Sequence, residues 1–243
     1  MNALTLDPDA LRTQSLFSSF TDRQLTHMVS SVKHRSFAPG TWILRTGETP
    51  DGLYVLLAGR ARVVHEDGQG HALIAGYIGP NEFFGELGLL DSKPCPASIQ
   101  AVERCELAFV PKKTFLECIY DNASAAVFVL QKALERLAAA HEKMASLALS
   151  NVHARVARVL LDNCYETPTG WRVNPGSEEI AAIVGASREM VSRVLKTMIA
   201  SGAVRREKRK LIVMDRGALE SACARYFPSK SANSEDWQLV GSV

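Results

Sequence analysis

The sequence predicts an α+β fold in three parts: an N-terminal antiparallel β-roll of jelly-roll type, a long helix, and a C-terminal winged helix-turn-helix. Three observations predict it. Ten of the sixteen glycines fall between Gly40 and Gly88, among short β-rich runs. Residues 122–149 are good helix formers with neither glycine nor proline. Finally, Ser177 to Met214 reads as helix, glycine turn, helix and basic hairpin.

The roll is expected over residues 20–115, after a helical lead-in around Thr21 to Lys33. Its pieces, TWILR, GLYVLLAG, RARVVHE and HALIAGYIG, recur at the short spacing of antiparallel strands joined by turns. Between the last two lies EDGQG, Glu66 to Gly70, where glycine supplies the positive φ of a tight hairpin. The boundaries that follow are a roll domain over 1–121, the long helix over 122–150, the helix-turn-helix domain over 151–226 and a tail over 227–243. The tail has no periodic apolar face and is expected to be flexible.

Along the long helix, Val127, Leu130, Leu134, Leu137, His141, Met144 and Ala148 alternate spacings of three and four. That is a heptad seam, and it predicts a parallel homodimer. His141 then sits within an apolar seam, either as a register device or as a ligand contact reaching across the dimer.

In the helix pair, Ser177 is placed to cap the first helix, Gly185 to make the turn and Ser187 to cap the second. Ile180, Ala181 and Val184 face inward from the first helix; Val191, Val194, Leu195 and Met198 form the buried stripe of the second. Arg188, Glu189, Ser192, Arg193 and Lys196 are left together on the outer face. Arginine can pair with guanine N7 and O6 and glutamate can accept from cytosine N4, so this face suits base reading in a major groove. The hairpin RREKRK, which includes Arg205 and Lys208, suits phosphate contacts that position without specifying sequence. Double-stranded DNA is the implied partner.

Charge agrees with this division. Residues 1–152 carry 14 basic and 16 acidic side chains, whereas residues 153–225 carry 13 and 8, so the basic excess is confined to the helix-turn-helix segment. The five cysteines stand far apart without a CxxC pair, as expected of reduced structural thiols in a cytoplasmic protein. No apolar run approaches the length of a membrane span. Metal-ligand spacing, a Ser/His/Asp set and paired carboxylates are all lacking, which argues against an enzyme.

A roll carrying GELGLL, a long seam helix and IAAIVGASREMVSRVLKTM together resemble the CRP/FNR family of bacterial transcription regulators, from about residue 15 to residue 225. The resemblance implies a cyclic-nucleotide-binding type of roll controlling a homodimeric DNA-binding protein in the cytoplasm, with RNA polymerase as a partner. The loop from Glu166 to Trp171 resembles in position the surface by which family activators touch the polymerase. Arg188, Glu189 and Arg193 match the three base-reading positions of members that recognise inverted TGTGA half-sites, and Ser187 matches a phosphate contact. Gly85 and Glu86 match the cassette glycine and the glutamate that holds the ribose of cyclic AMP.

The cassette then departs from the pattern. The Arg-Ser pair that takes the cyclic phosphate is matched by Pro96 and Ala97, and the Thr-Ser pair that meets adenine by Ala140 and His141. Ser98 is the nearest hydroxyl able to move into the phosphate place. A phosphate anion shielded from water demands a charged or donating partner, so cyclic AMP in its usual pose is disfavoured. Family members with altered cassettes point instead to cyclic di-GMP, with Arg60, Arg62, Gly85, Glu86, Arg136 and His141 as the effector contacts. The alternatives are a constitutively active member without ligand and a haem or redox sensor using His65 or His71.

Overall fold

The computed structural model describes residues 11–226 except 70, 92, 169, 209 and 225; the tail expected at 227–243 lies outside them. The chain divides into two compact units, Met1–Glu142 and Lys143–Val243.

The first unit is the roll. After a short 3-10 turn at Ser15–Phe17 comes α1 (Asp22–Val29), whose start is fixed by a capping box between Thr21 and Gln24. The expected lead-in helix stops earlier than predicted, because Lys33 already opens β1 (Lys33–Phe37), paired with Phe109 on β8. The remaining strands are β2 (Trp42–Leu44), β3 (Gly52–Ala58), β4 (Ala61–Glu66), β5 (Ala72–Ile78), β6 (Phe83–Phe84), β7 (Ser98–Ala101) and β8 (Cys105–Pro111). They form two antiparallel sheets, ordered β1-β8-β3-β6 and β2-β7-β4-β5.

The nearly continuous apolar runs of β3 and β8 follow from this arrangement, because both strands are covered on both faces. Successive residues point to opposite sides. Tyr54, Leu56, Leu107 and Phe109 enter the core shared with Ile43, Ile78 and Ile99 of the second sheet. Leu53, Val55, Ala108 and Val110 enter the other, built with Leu16, Phe17, Leu25, Met28, Phe115 and Val129 from helical segments. Those segments include α2 (Glu86–Leu90), α3 (Lys112–Tyr120) and the first half of α4 (Ala123–Leu149). Asn122 caps α4, its side chain accepting from the Ala125 amide at 3.0 Å.

In the second unit α5 (Val152–Asp162) is capped by Asn151. It leads through β9 (Cys164–Thr167) and β10 (Gly170–Val173) to the pair α6 (Ser177–Val184) and α7 (Arg188–Ala200). Strands β11 (Val204–Glu207) and β12 (Lys210–Val213) and helix α8 (Arg216–Ala224) follow. The sheet order is β11-β12-β10-β9. One core joins Val156, Leu160, Ile180, Val184, Val191, Leu195, Met198, Leu211 and Leu219. The cap of α6 differs from expectation: Gly176 is the N-cap and Ser177 is the first helical residue, with no side-chain capping bond. Here Glu178 and Glu179 face the positive end of the helix dipole instead.

Candidate nucleic-acid interface and effector cassette

The turn of the helix pair depends on Gly185, which closes α6 in the left-handed region at φ 63° and ψ 50°. Its lack of a Cβ makes that conformation inexpensive. Two residues later Ser187 starts α7, accepting from the Met190 amide at 3.2 Å. Two cations hold the end of α6. Lys143 donates to the carbonyl of Ile183, and Arg155 donates to Val184 O at 2.9 Å while also reaching Ser150 O at 2.6 Å. Burial, with Arg155 nearby, holds the Lys143 ammonium below its ordinary value, and burial lowers the Arg155 guanidinium likewise. Sequence periodicity carried no sign of either contact, because the partners lie 40 and 29 residues away.

With Val191, Leu195 and Met198 buried, the predicted reading residues emerge together. Arg188, Glu189 and Arg193 are each about three-quarters exposed or more, at 74%, 88% and 76%, and Ser192 and Lys196 are exposed as well. Arg188 meets Glu178, and Arg193 lies 4.0 Å from Glu189. Exposed pairs of this kind hold little free energy, at most about 1 kcal/mol, so DNA can claim the guanidinium groups cheaply. At the hairpin Lys208 projects from a left-handed turn at φ 51°. Arg205, also exposed, pairs with Glu207 at 3.0 Å.

The cassette is built differently. Gly85 adopts φ 96° and a Cβ there would lie 2.9 Å from Gly52 O; one on Gly88 would meet the Pro50 ring at 2.5 Å. This close backbone packing delivers Glu86 to a site where its side chain is only 15% exposed. Arg136 from α4 donates to Glu86 Oε1 and to the Phe83 carbonyl, with its guanidinium 5.1 Å from the Phe83 ring. Glu86 Oε2 is buried and has no partner among the described residues.

At the positions matching the phosphate partners, Pro96 is exposed and Ala97 buried. Ser98 does not move into their place: it is a buried member of β7, held by the Thr46 amide at 3.0 Å. Burial, and then the carboxylates of Glu48 and Glu86, push the neighbouring Cys95 thiol up.

Of the six residues expected to contact effector, Gly85, Glu86 and Arg136 are brought together. The other three are engaged or placed elsewhere. Arg60 lies 3.8 Å over the Tyr77 ring, Arg62 donates twice to Gln100 Oε1 at 3.0 and 2.6 Å, and His141 is exposed on α4. His65 is exposed on β4, and His71 is bonded to Asp67 at 2.7 Å. Among the described residues no group of three His, Cys, Asp or Glu side chains could hold a metal ion. The seam residues Val127, Leu130, Leu134, Leu137 and Met144 are each more than half exposed in the single chain.

Residues 34–122 match the cyclic nucleotide-binding domain, and residues 154–222 match the Crp-like helix-turn-helix domain. The sequence is 30% identical to the cAMP-activated global transcriptional regulator Vfr of Pseudomonas aeruginosa over 200 residues, covering 79% of this chain and 94% of Vfr. The chain belongs to the CRP/FNR family. It is 29% identical over 184 residues to the cAMP-activated global transcriptional regulator CRP of Salmonella typhimurium, covering 73% of this chain and 88% of that one. Among solved structures it resembles the c-di-GMP responsive global regulator CLP of Xanthomonas campestris, with a TM-score of 0.71, 25% identity, and coverage of 79% of this chain and 99% of CLP. A CRP/FNR regulator from Eubacterium rectale shares the fold at a TM-score of 0.74 and 18% identity, covering 86% of this chain and 97% of that one. This CRP/FNR protein is thus a DNA-binding transcription regulator, and the relatives it matches are regulators and not enzymes. Among its described residues no helix is long and apolar enough to cross a membrane.

Proposed function

We propose that this regulator acts in the cytoplasm as a homodimer joined along α4. In this reading it recognises TGTGA-like inverted repeats through Arg188, Glu189 and Arg193, recruits RNA polymerase, and responds to cyclic di-GMP in preference to cyclic AMP. The observation that carries the effector assignment is the cassette itself: Pro96 and Ala97 offer no partner to a buried cyclic phosphate, and Ser98 is committed to Thr46. CLP, described as responsive to c-di-GMP, supports a change of ligand on the same scaffold. A larger dinucleotide can stack a guanine on Arg136 and place its phosphates outside the old pocket. Control then works by population shift: the ligand favours one dimer arrangement by its difference in affinity between two, and that difference appears as a change in DNA affinity.

Calorimetric titration of the dimer with cyclic AMP, cyclic GMP and cyclic di-GMP tests the effector. The expected result is that cyclic di-GMP gives heat and titrates with a micromolar dissociation constant, a binding free energy of about −8 kcal/mol, together with a changed operator affinity. Silence from cyclic di-GMP overturns it. A second reading, constitutive activity without nucleotide, draws on the Glu86–Arg136 pair, which satisfies one carboxylate oxygen internally. It predicts no heat from any of the three and full operator binding by the unliganded protein. The operator itself comes from selection out of a random DNA pool, where enrichment of an unrelated motif removes the base-reading assignment.

A further inference from the structure

Among the large apolar side chains of α7, Met190 alone is exposed. Met190 is 44% exposed, yet its neighbours on the solvent side are Arg188, Glu189, Ser192, Arg193, Lys196 and Thr197, all exposed. At 3.6 residues per turn, Glu189, Lys196 and Arg193 mark the middle of the outward arc, and Val191, Leu195 and Met198 the inward one. Met190 falls on the border beside Thr197. It does not belong to the core cluster, whose buried and partly buried members include Val191, Val194, Leu195, Met198 and Ile199. Its position along the helix is fixed too. The bond from its amide to Ser187 Oγ makes it the third residue of the first turn, in the part of a reading helix that enters the major groove.

A thioether carries no donor and is only a weak acceptor, so Met190 cannot bind a phosphate or complete a hydrogen-bonded pattern on a base edge. The major groove presents one apolar feature, the 5-methyl group of thymine. A flexible, unbranched, polarizable side chain suits contact with it. We infer that Met190 is a specificity residue that reads a thymine of each half-site through its 5-methyl group, beside the hydrogen-bonding readout of Arg188, Glu189 and Arg193. The inference rests on the reading of α7 as the base-contacting helix.

The test uses the full-length protein and the operator enriched from the random pool, with each thymine replaced in turn by deoxyuridine, which removes one methyl group. One thymine per half-site should show a loss of about fourfold, the burial of a single methyl-sized group. Met190→Ala should bind the unmodified operator correspondingly less tightly and lose its response to uridine at that position, whereas Met190→Leu should keep the response. An unchanged melting temperature for both variants ties the effect to the contact. Uridine sensitivity that persists in Met190→Ala, or affinity unchanged by Met190→Ala, overturns the inference while leaving the polar assignments in place. A pool that enriches no sequence overturns those assignments and this inference with them.

Discussion

Helix α7 and the cassette around Gly85 use glycine and charge in opposite ways. In α7 the backbone is ordinary, apart from one left-handed glycine before it, and the chemistry stands free: three charged side chains at least 74% exposed, held only by surface ion pairs. In the cassette the backbone is tightly packed around Gly85 and Gly88, and the Glu86 carboxylate is largely buried with one oxygen bonded to Arg136. The difference teaches that packing can fix a loop's backbone independently of the polar groups that the loop presents. Packing against Pro50 and Gly52 serves the fold whatever is bound, whereas Pro96 is exposed and offers no donor.

The largest expected effect comes from the helix whose apolar stripe faces neither core. Leu134→Asp places a charge in the seam. It should weaken the dimer by about a hundredfold or more, seen as monomers in sedimentation, with cooperative operator binding lost. An intact dimer would mean that another surface joins the subunits. Within the cassette, Gly88→Ala drives a Cβ against the Pro50 ring and should cost about 1–3 kcal/mol of stability, read as a lower melting temperature with the DNA preference of the folded protein unchanged. On α7 the pattern reverses. Arg188→Ala should cost about 1–3 kcal/mol on the specific site and flatten the preference at its guanine, while stability stays within about 0.5 kcal/mol. A large melting shift in Arg188→Ala, or none in Gly88→Ala, would break the contrast. The smallest effect belongs to Lys208→Ala, which should weaken all DNA sequences alike and reduce the salt slope by about one, measured by binding at several ionic strengths.

Much of this organisation was legible in the sequence because it is periodic or local. The heptad spacing of α4, the stripe of Val191, Leu195 and Met198, and the glycine turn at 185 each encode their structure within a few residues. The exposed face of α7 followed directly from the buried one. The cap of α6 was misplaced by one residue because Gly176 and Ser177 are both acceptable there, and only the path out of β10 decides between them. Contacts across long separations were not legible. The family resemblance named Glu86 and Arg136, but not that they bond to each other across 50 residues, nor that Lys143 and Arg155 close the carbonyl end of α6. Arg60 and Arg62 looked available as charges on a strand, yet Tyr77 and Gln100 occupy them, because strand neighbours come from pairings that single-chain patterning does not specify.

The bond between Arg136 and Glu86 makes the cassette a lock with a key already turned partway. A newcomer that takes Glu86 Oε1 must evict a tethered guanidinium present at high local concentration. Its apparent affinity is therefore its intrinsic affinity multiplied by the fraction of molecules in which the arginine has swung out. A ligand that competes for that oxygen therefore binds below its intrinsic affinity, whereas one that leaves the pair intact and meets Arg136 from its exposed side avoids that cost.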